Sequence, residues 1–199
     1  IALPIAGSLV NKMNPKFLLA FGLIVNAYAT YLMSNFNLHA DFNTIIWPRI
    51  VLGIGMGFFF IPLTTMTMSG IKKEDMGNAS AIYNLLRNLG GSFGVAFVTT
   101  MLSRRAQFHQ NHLVEHLTPF DRAYQLFSEQ SSQLLQYRGF GDFTSNYGGL
   151  GMMYRELLRQ ASMMAFNDAF FLVCIIMICV LPFAFFMKRG TPGTAPGMH

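Results

Sequence analysis

Long apolar stretches separated by short polar ones set the pattern of this chain. Charged residues are missing from about 17–34, 50–69, 88–103 and 169–187. A helix needs roughly 20 mainly apolar residues to cross the hydrocarbon core of a bilayer. The pattern therefore predicts membrane-spanning helices over 17–34, 45–69, 78–102 and 163–187. The first is interrupted only by Asn26 and the hydroxyls of Tyr28, Thr30 and Tyr31. The second starts near Ile45 and takes Pro48 in its first turn, where a missing N–H costs little. Residues 1–10 open on Ile without a basic leader, so they read as the end of a further, truncated span.

Between the third and fourth spans lies a polar block, 103–160, predicted to be an external helical and Gly-rich loop. Thr118, Pro119 and Asp121 look like a helix start, with Thr118 as the cap and Pro119 in the first position. Gly139, Gly141, Gly148, Gly149 and Gly151 predict an irregular loop over 137–151. Helical patterning returns near Met152 and runs into the last span, longer than a bilayer requires. The tail at 188–199 has no core-forming residues and is predicted to be disordered.

Orientation follows from the short connections. Lys12, Lys16, Lys72, Lys73, Lys188 and Arg189 lie on three of them, while the link at 35–44 holds no Lys or Arg. The positive-inside rule puts those three connections and the C-terminus in the cytoplasm, and alternation puts the polar block outside. Composition agrees. Only 12% of the residues are charged, about half the share usual in a soluble domain. The net charge of +5 would point to nucleic acid in a soluble protein, but here the basic residues flank apolar spans and answer to the membrane. Cys174 and Cys179, five apart in one span, read as packed thiols rather than a disulfide or a zinc site.

Polar residues inside spans are costly in hydrocarbon and are functional candidates by default. Arg87 shares a helical face with Ser80, Asn84 and Gly91. It reads equally as a binding or proton-linked arginine and as a lock on a neighbouring helix. Asp168 reads as a proton-carrying carboxylate, since burial favours an acid's neutral form, or as an interfacial acid that meets water or an arginine. Arg49 either snorkels to the interface or faces inward; Asn26 completes the set of pathway candidates. Gly53, Gly55 and Gly57, and later Gly90, Gly91 and Gly94, are small-residue surfaces where helices approach closely. His109, His112 and His116 share one face, but no Cys or acid completes a metal set, so a solvated face is expected. No catalytic grouping, metal site or cofactor motif appears.

The turn G-S-L-V-N-K-M-N-P-K resembles the G-x-L-a-D-R-x-G-R-[KR] signature of the major facilitator superfamily. Gly7, Leu9, Lys12 and Lys16 match, while Asn11 stands at the usual Asp and Asn14 at a Gly. W-P-R-I-V-L-G-I-G-M-G is similar to that family's Arg–Gly motif, with Arg49 and Gly53 matching. N-L-L-R-N-L-G-G-S-F-G-V-A resembles the penultimate helix of EmrB/QacA-type drug:proton antiporters, the 14-helix branch, and the external block beginning at Arg104 is similar to its EmrB-like members.

The resemblance implies an all-α membrane protein: the C-terminal part of a helical bundle, with four complete transmembrane helices and the end of a fifth. It implies export of small lipophilic drugs in exchange for protons across the bacterial inner membrane by alternating access. It further implies a periplasmic adaptor and an outer-membrane channel as partners for the external block, with a small lid as that block's alternative role. Export of a siderophore, fatty acid or other metabolite keeps the fold and changes the cargo. A non-transporting scaffold or sensor is the reading from another class.

Overall fold

The computed structural model describes residues 7–9, 13–38, 40–115, 117, 118 and 120–186. The chain is all-α, with no strand among the described residues. Residues 7–9, which include Gly7 and Leu9, are helical. Asn11, Lys12 and the tail at 188–199 lie outside the described residues. Helix α1 is Pro15–Met33, α2 is Phe42–Met68, and a short 3-10 turn, Lys73–Asp75, leads into α3, Met76–Glu115. Helix α4 is Arg122–Tyr137 and α5 is Asp142–Phe186.

Helix α1 starts with Pro at its first positions, where no amide hydrogen is needed. It ends where the polar link takes over its last carbonyls. The Ser34 hydroxyl donates to the Tyr31 carbonyl at 2.7 Å and the Asn35 amide donates to it at 3.0 Å. Helix α2 begins at Phe42, three residues before the expected start, so Pro48 stands inside the helix rather than in its first turn, as does Pro62. The helix closes on Ser69, whose hydroxyl donates to the Met66 carbonyl, and Gly70 then turns the chain with φ +90°.

Among the described residues, three helices are long and apolar enough to cross a membrane: Pro15–Met33, Phe42–Met68 and Tyr147–Phe186. The fourth span, expected over 78–102, does form a helix, but α3 falls short of the other three in hydropathy. Asn84, Arg87, Asn88 and the glycines at 90, 91 and 94 dilute its apolar residues. Helix α3 also does not stop near 102. No Gly or Pro interrupts 103–115, and the helix continues to 40 residues, about 60 Å at 1.5 Å per residue.

The chain divides into two compact units, residues 1–97 with 170–199, and residues 98–169. In the first, Leu19, Leu23 and Ala184 are buried with Phe59, Leu63 and Leu181 packed on them. Its outer faces are greasy: Trp47, Phe93 and Phe183 are at least two-thirds exposed. Cys174 is buried there, but Cys179 is exposed, against the expectation of two packed thiols. Lys16 of the signature turn donates to the Phe185 carbonyl at 3.0 Å, placing a cation at the C-terminal end of α5, where the helix dipole is negative.

The second unit corrects two readings of the polar block. Asp121, not Thr118, stands before the first turn of α4, and it accepts both the Thr118 amide and hydroxyl at 2.8 Å. The cap thus runs in reverse, the acid satisfying the threonine. The irregular loop predicted over 137–151 shrinks to the few residues around Gly139, which takes φ +90°, and Gly148, Gly149 and Gly151 are helical. Two of these glycines serve packing. A methyl group at Gly148 would stand 2.6 Å from Leu135, and one at Gly149 would stand 3.4 Å from Ser131. Helices α4 and α5 meet across them as a hairpin. Further along α5, Leu157, Ala161, Ala165 and Ala169 form a buried stripe at i, i+4 spacing.

Candidate functional site

In hydrocarbon the apolar effect gives helices little reason to associate, so close backbone contact and satisfied polar groups decide the packing. The pair α1–α2 shows the first, and Asn26 departs from the second. Gly22 of α1 presses on α2: a methyl group there would lie 2.6 Å from the Phe59 nitrogen and 2.9 Å from the Phe58 carbonyl oxygen. That carbonyl is the one whose helical donor would be residue 62, and Pro62 has no N–H. The close approach at Gly22 thus falls where Pro62 deprives α2 of a helical donor.

One turn further on, Asn26 meets Gly55. Asn26 is 2% exposed, and its Oδ1 has no hydrogen-bond partner among the described residues. A methyl group at Gly55 would stand 2.7 Å from that oxygen. An unpartnered buried amide oxygen costs about 1–3 kcal/mol, which marks the crossing as a place where packing alone does not explain the residue chosen. Thr30 does not relieve it, since its hydroxyl donates to the Asn26 and Ala27 carbonyls at 3.0 Å. Gly57 is buried in α2, whereas Gly53 and Arg49 are exposed, and no atom lies within 4 Å of a methyl group built on Gly53.

Helix α3 offers a polar ridge to α2. The Arg87 guanidinium sits over the Phe60 ring, 4.8 Å from its centroid. One turn earlier, the Tyr83 hydroxyl meets that of Thr64 at 3.1 Å. The positions pair as 83 with 64 and 87 with 60, the order of antiparallel helices. Thr64 also donates to the Phe60 carbonyl at 2.8 Å, so its hydroxyl is satisfied within its own helix, as a lipid environment demands. Asn84 is exposed, and nothing lies within 4 Å of a methyl group built on Gly90, Gly91 or Gly94. The structure therefore joins Arg87 to an aromatic ring rather than to a carboxylate. It leaves the small-residue face uncovered by the described residues.

Asp168 belongs to the second unit. Its Oδ2 receives His109 Nε2 at 2.7 Å and Arg105 Nε at 3.2 Å. Arg105 also lies over the Phe108 ring, 5.7 Å from its centroid. His109 therefore leaves the solvated face expected of the three histidines: its side chain is only 13% exposed. His112 stays outward, 3.8 Å from Glu115, and His116 lies outside the described residues. Sequence reasoning did not single out Arg105, and it placed His109 on a solvated face. Their i, i+4 spacing was a usable signal, but it names no partner, and the acid they share is 59 residues beyond His109.

Comparison with known proteins adds the frame for these features. A family model described as Major Facilitator Superfamily matches residues 1–108. The fatty acid resistance protein FarB of Neisseria gonorrhoeae is 29% identical over 185 residues, 93% of this chain and 35% of that protein. The colistin resistance protein EmrB of Acinetobacter baumannii is 29% identical, over 94% of this chain and 36% of its own length. The multidrug export protein EmrB of Escherichia coli strain K12 is 30% identical, over 98% and 37%. The chain thus spans little more than a third of the curated relatives it matches.

Proposed function

The chain belongs to the Major Facilitator Superfamily, and on that premise we propose that it is the C-terminal part of a proton-coupled exporter of lipophilic compounds. The observation that carries the reading is the polar ridge of α3. Arg87 and Asn84 stand on a helix whose small-residue face the described residues leave uncovered. In an alternating-access transporter such a face belongs against the cavity or the other half-bundle. Relatives named for multidrug export and colistin resistance match nearly the whole chain, which supports cargo of this kind. A relative named for fatty acid resistance supports a second reading, export of a fatty acid by the same fold.

In this proposal α1, α2, α3 and the apolar part of α5 span the bacterial inner membrane, and α4 lies outside. The basic turn at Lys16, the Lys72–Lys73 turn and the C-terminus face the cytoplasm. In this proposal Arg87 meets an anionic group or the proton, and Asn84, Arg49, Asn26 and Asp168 lie along the pathway. The transport test uses the full-length protein in proteoliposomes under an imposed pH gradient. Ethidium-dependent proton flux is the expected result. Flux with a fatty acid alone would shift the reading to the second cargo, and no flux with either would sink both.

The second unit is proposed to dock a periplasmic adaptor that leads to an outer-membrane channel. Its separate compactness supports the idea that it can be removed. Deleting residues 105–150 from the full-length protein is expected to leave membrane insertion intact and to abolish adaptor-dependent resistance. Resistance unchanged at matched expression would exclude docking there.

A further inference from the structure

We propose that Arg105, His109 and Asp168 form a proton-binding clasp at the outer mouth, with His109 as the group that takes up the proton. The inference rests on the efflux reading above for its orientation and purpose. Its geometry is independent of that reading.

Asp168 marks one end of an uncharged stretch of α5, residues 169–186. At 1.5 Å per residue this stretch is about 27 Å long, close to the roughly 30 Å thickness of a hydrocarbon core. The other end is the Phe185 carbonyl held by Lys16. If that end is cytoplasmic, as proposed, Asp168 stands at the outer edge of the membrane, and its 30% exposed side chain is within reach of water.

The hydrogen-bond chemistry then assigns the proton. An ionised carboxylate only accepts, so the His109 Nε2 that meets it at 2.7 Å carries a hydrogen. In the neutral ring Nδ1 is left as the basic nitrogen, and one proton from outer water binds there without breaking another bond. Imidazole is the side chain whose ordinary charge change falls between about pH 5 and 8. The charged groups that face the ring are Arg105, one turn back on α3, and Asp168 on α5. His112, one turn on, is drawn towards Glu115 and stacks on Phe108. When His109 is protonated, Asp168 joins two cations of α3; when the proton leaves, Arg105 alone remains charged against it. Protonation of His109 therefore tightens the contact between these stretches of α3 and α5, and loss of the proton loosens it.

The test compares wild type with His109→Gln, which keeps a donor for Asp168 but cannot gain a charge. Ethidium efflux by the full-length protein in liposomes is followed with inner pH fixed and outer pH at 6 or 8. Outer pH also changes the proton gradient, so the readout is the difference between the two proteins. The rate ratio between the two pH values is expected to differ about fivefold or more between wild type and variant. Equal ratios would overturn the clasp while leaving efflux intact. If wild type shows no proton-coupled flux, the efflux reading fails, and a double-mutant cycle decides the clasp. His109→Gln and Asp168→Asn are then combined and thermal unfolding is followed at pH 6 and pH 8. Stronger coupling at pH 6 supports it, and equal coupling at both removes it.

Discussion

Valine at Gly22 is expected to separate α1 from α2 and to cost the full-length protein most of its stability in detergent. The reason is that the neighbours are backbone. A first added carbon would already stand 2.6 Å from the Phe59 nitrogen and 2.7 Å from the Phe58 carbonyl carbon. Neither atom moves without moving α2. Overpacking a core costs roughly 1–3 kcal/mol where side chains can adjust, and here only a helix shift makes room. That shift would also break the contact between Asn26 and Gly55 one turn away. Thermal unfolding followed by size-exclusion chromatography reads the effect. Alanine at Gly22 should lie between wild type and valine. Alanine at Gly53, in the same pair but with nothing within 4 Å, should leave the α1–α2 contact intact. A Gly22→Val protein as stable as wild type would show that this crossing does not hold the bundle.

Much of this architecture was legible in the spacing of charges. The uncharged gaps fall on α1, the greater part of α2 and the last part of α5, because exclusion of charge from hydrocarbon is a strong local constraint. Glycine was the weak point. At Gly148 and Gly149 it looked like a loop, since the same absence of a side chain that loosens a turn also lets two helices touch. Sequence position does not tell these apart; the nearness of Leu135 and Ser131 does. Proline misled in a related way, since Pro48 fits a first turn and is tolerated inside α2. The site was legible in part. Arg87 and Asp168 stood out as charges inside the spans predicted over 78–102 and 163–187. Their partners, Phe60 and the pair Arg105–His109, did not, because nothing local links residues 27 or 59 positions apart. Asn26 was visible as a polar interruption, yet its apposition to Gly55 exists only once α1 and α2 cross.

Alanine at Arg87 is expected to lower efflux about tenfold or more while the protein still reaches the membrane. A tenfold loss corresponds to roughly 1.4 kcal/mol, within reach of one lost hydrogen bond to a charged group. The structure says why folding should survive. Arg87 is exposed on α3 and touches Phe60 through a cation–π contact, which contributes about 0.5–1 kcal/mol at an exposed site and up to about 2 when desolvated. Losing that much does not unfold a helix pair that keeps the Tyr83–Thr64 contact one turn away. Lysine at the same position separates the roles. It retains the charge and part of the ring contact but not the planar fork that pairs with a carboxylate in two places. If Arg87 binds an anionic group of the transporter or its cargo, Arg87→Lys should recover only part of the rate. If it serves only as a positive charge against Phe60, lysine should restore nearly all of it. Normal efflux from Arg87→Ala, at matched expression in the same vesicles, would reduce Arg87 to a packing residue and remove the ridge of α3 from the proposed pathway.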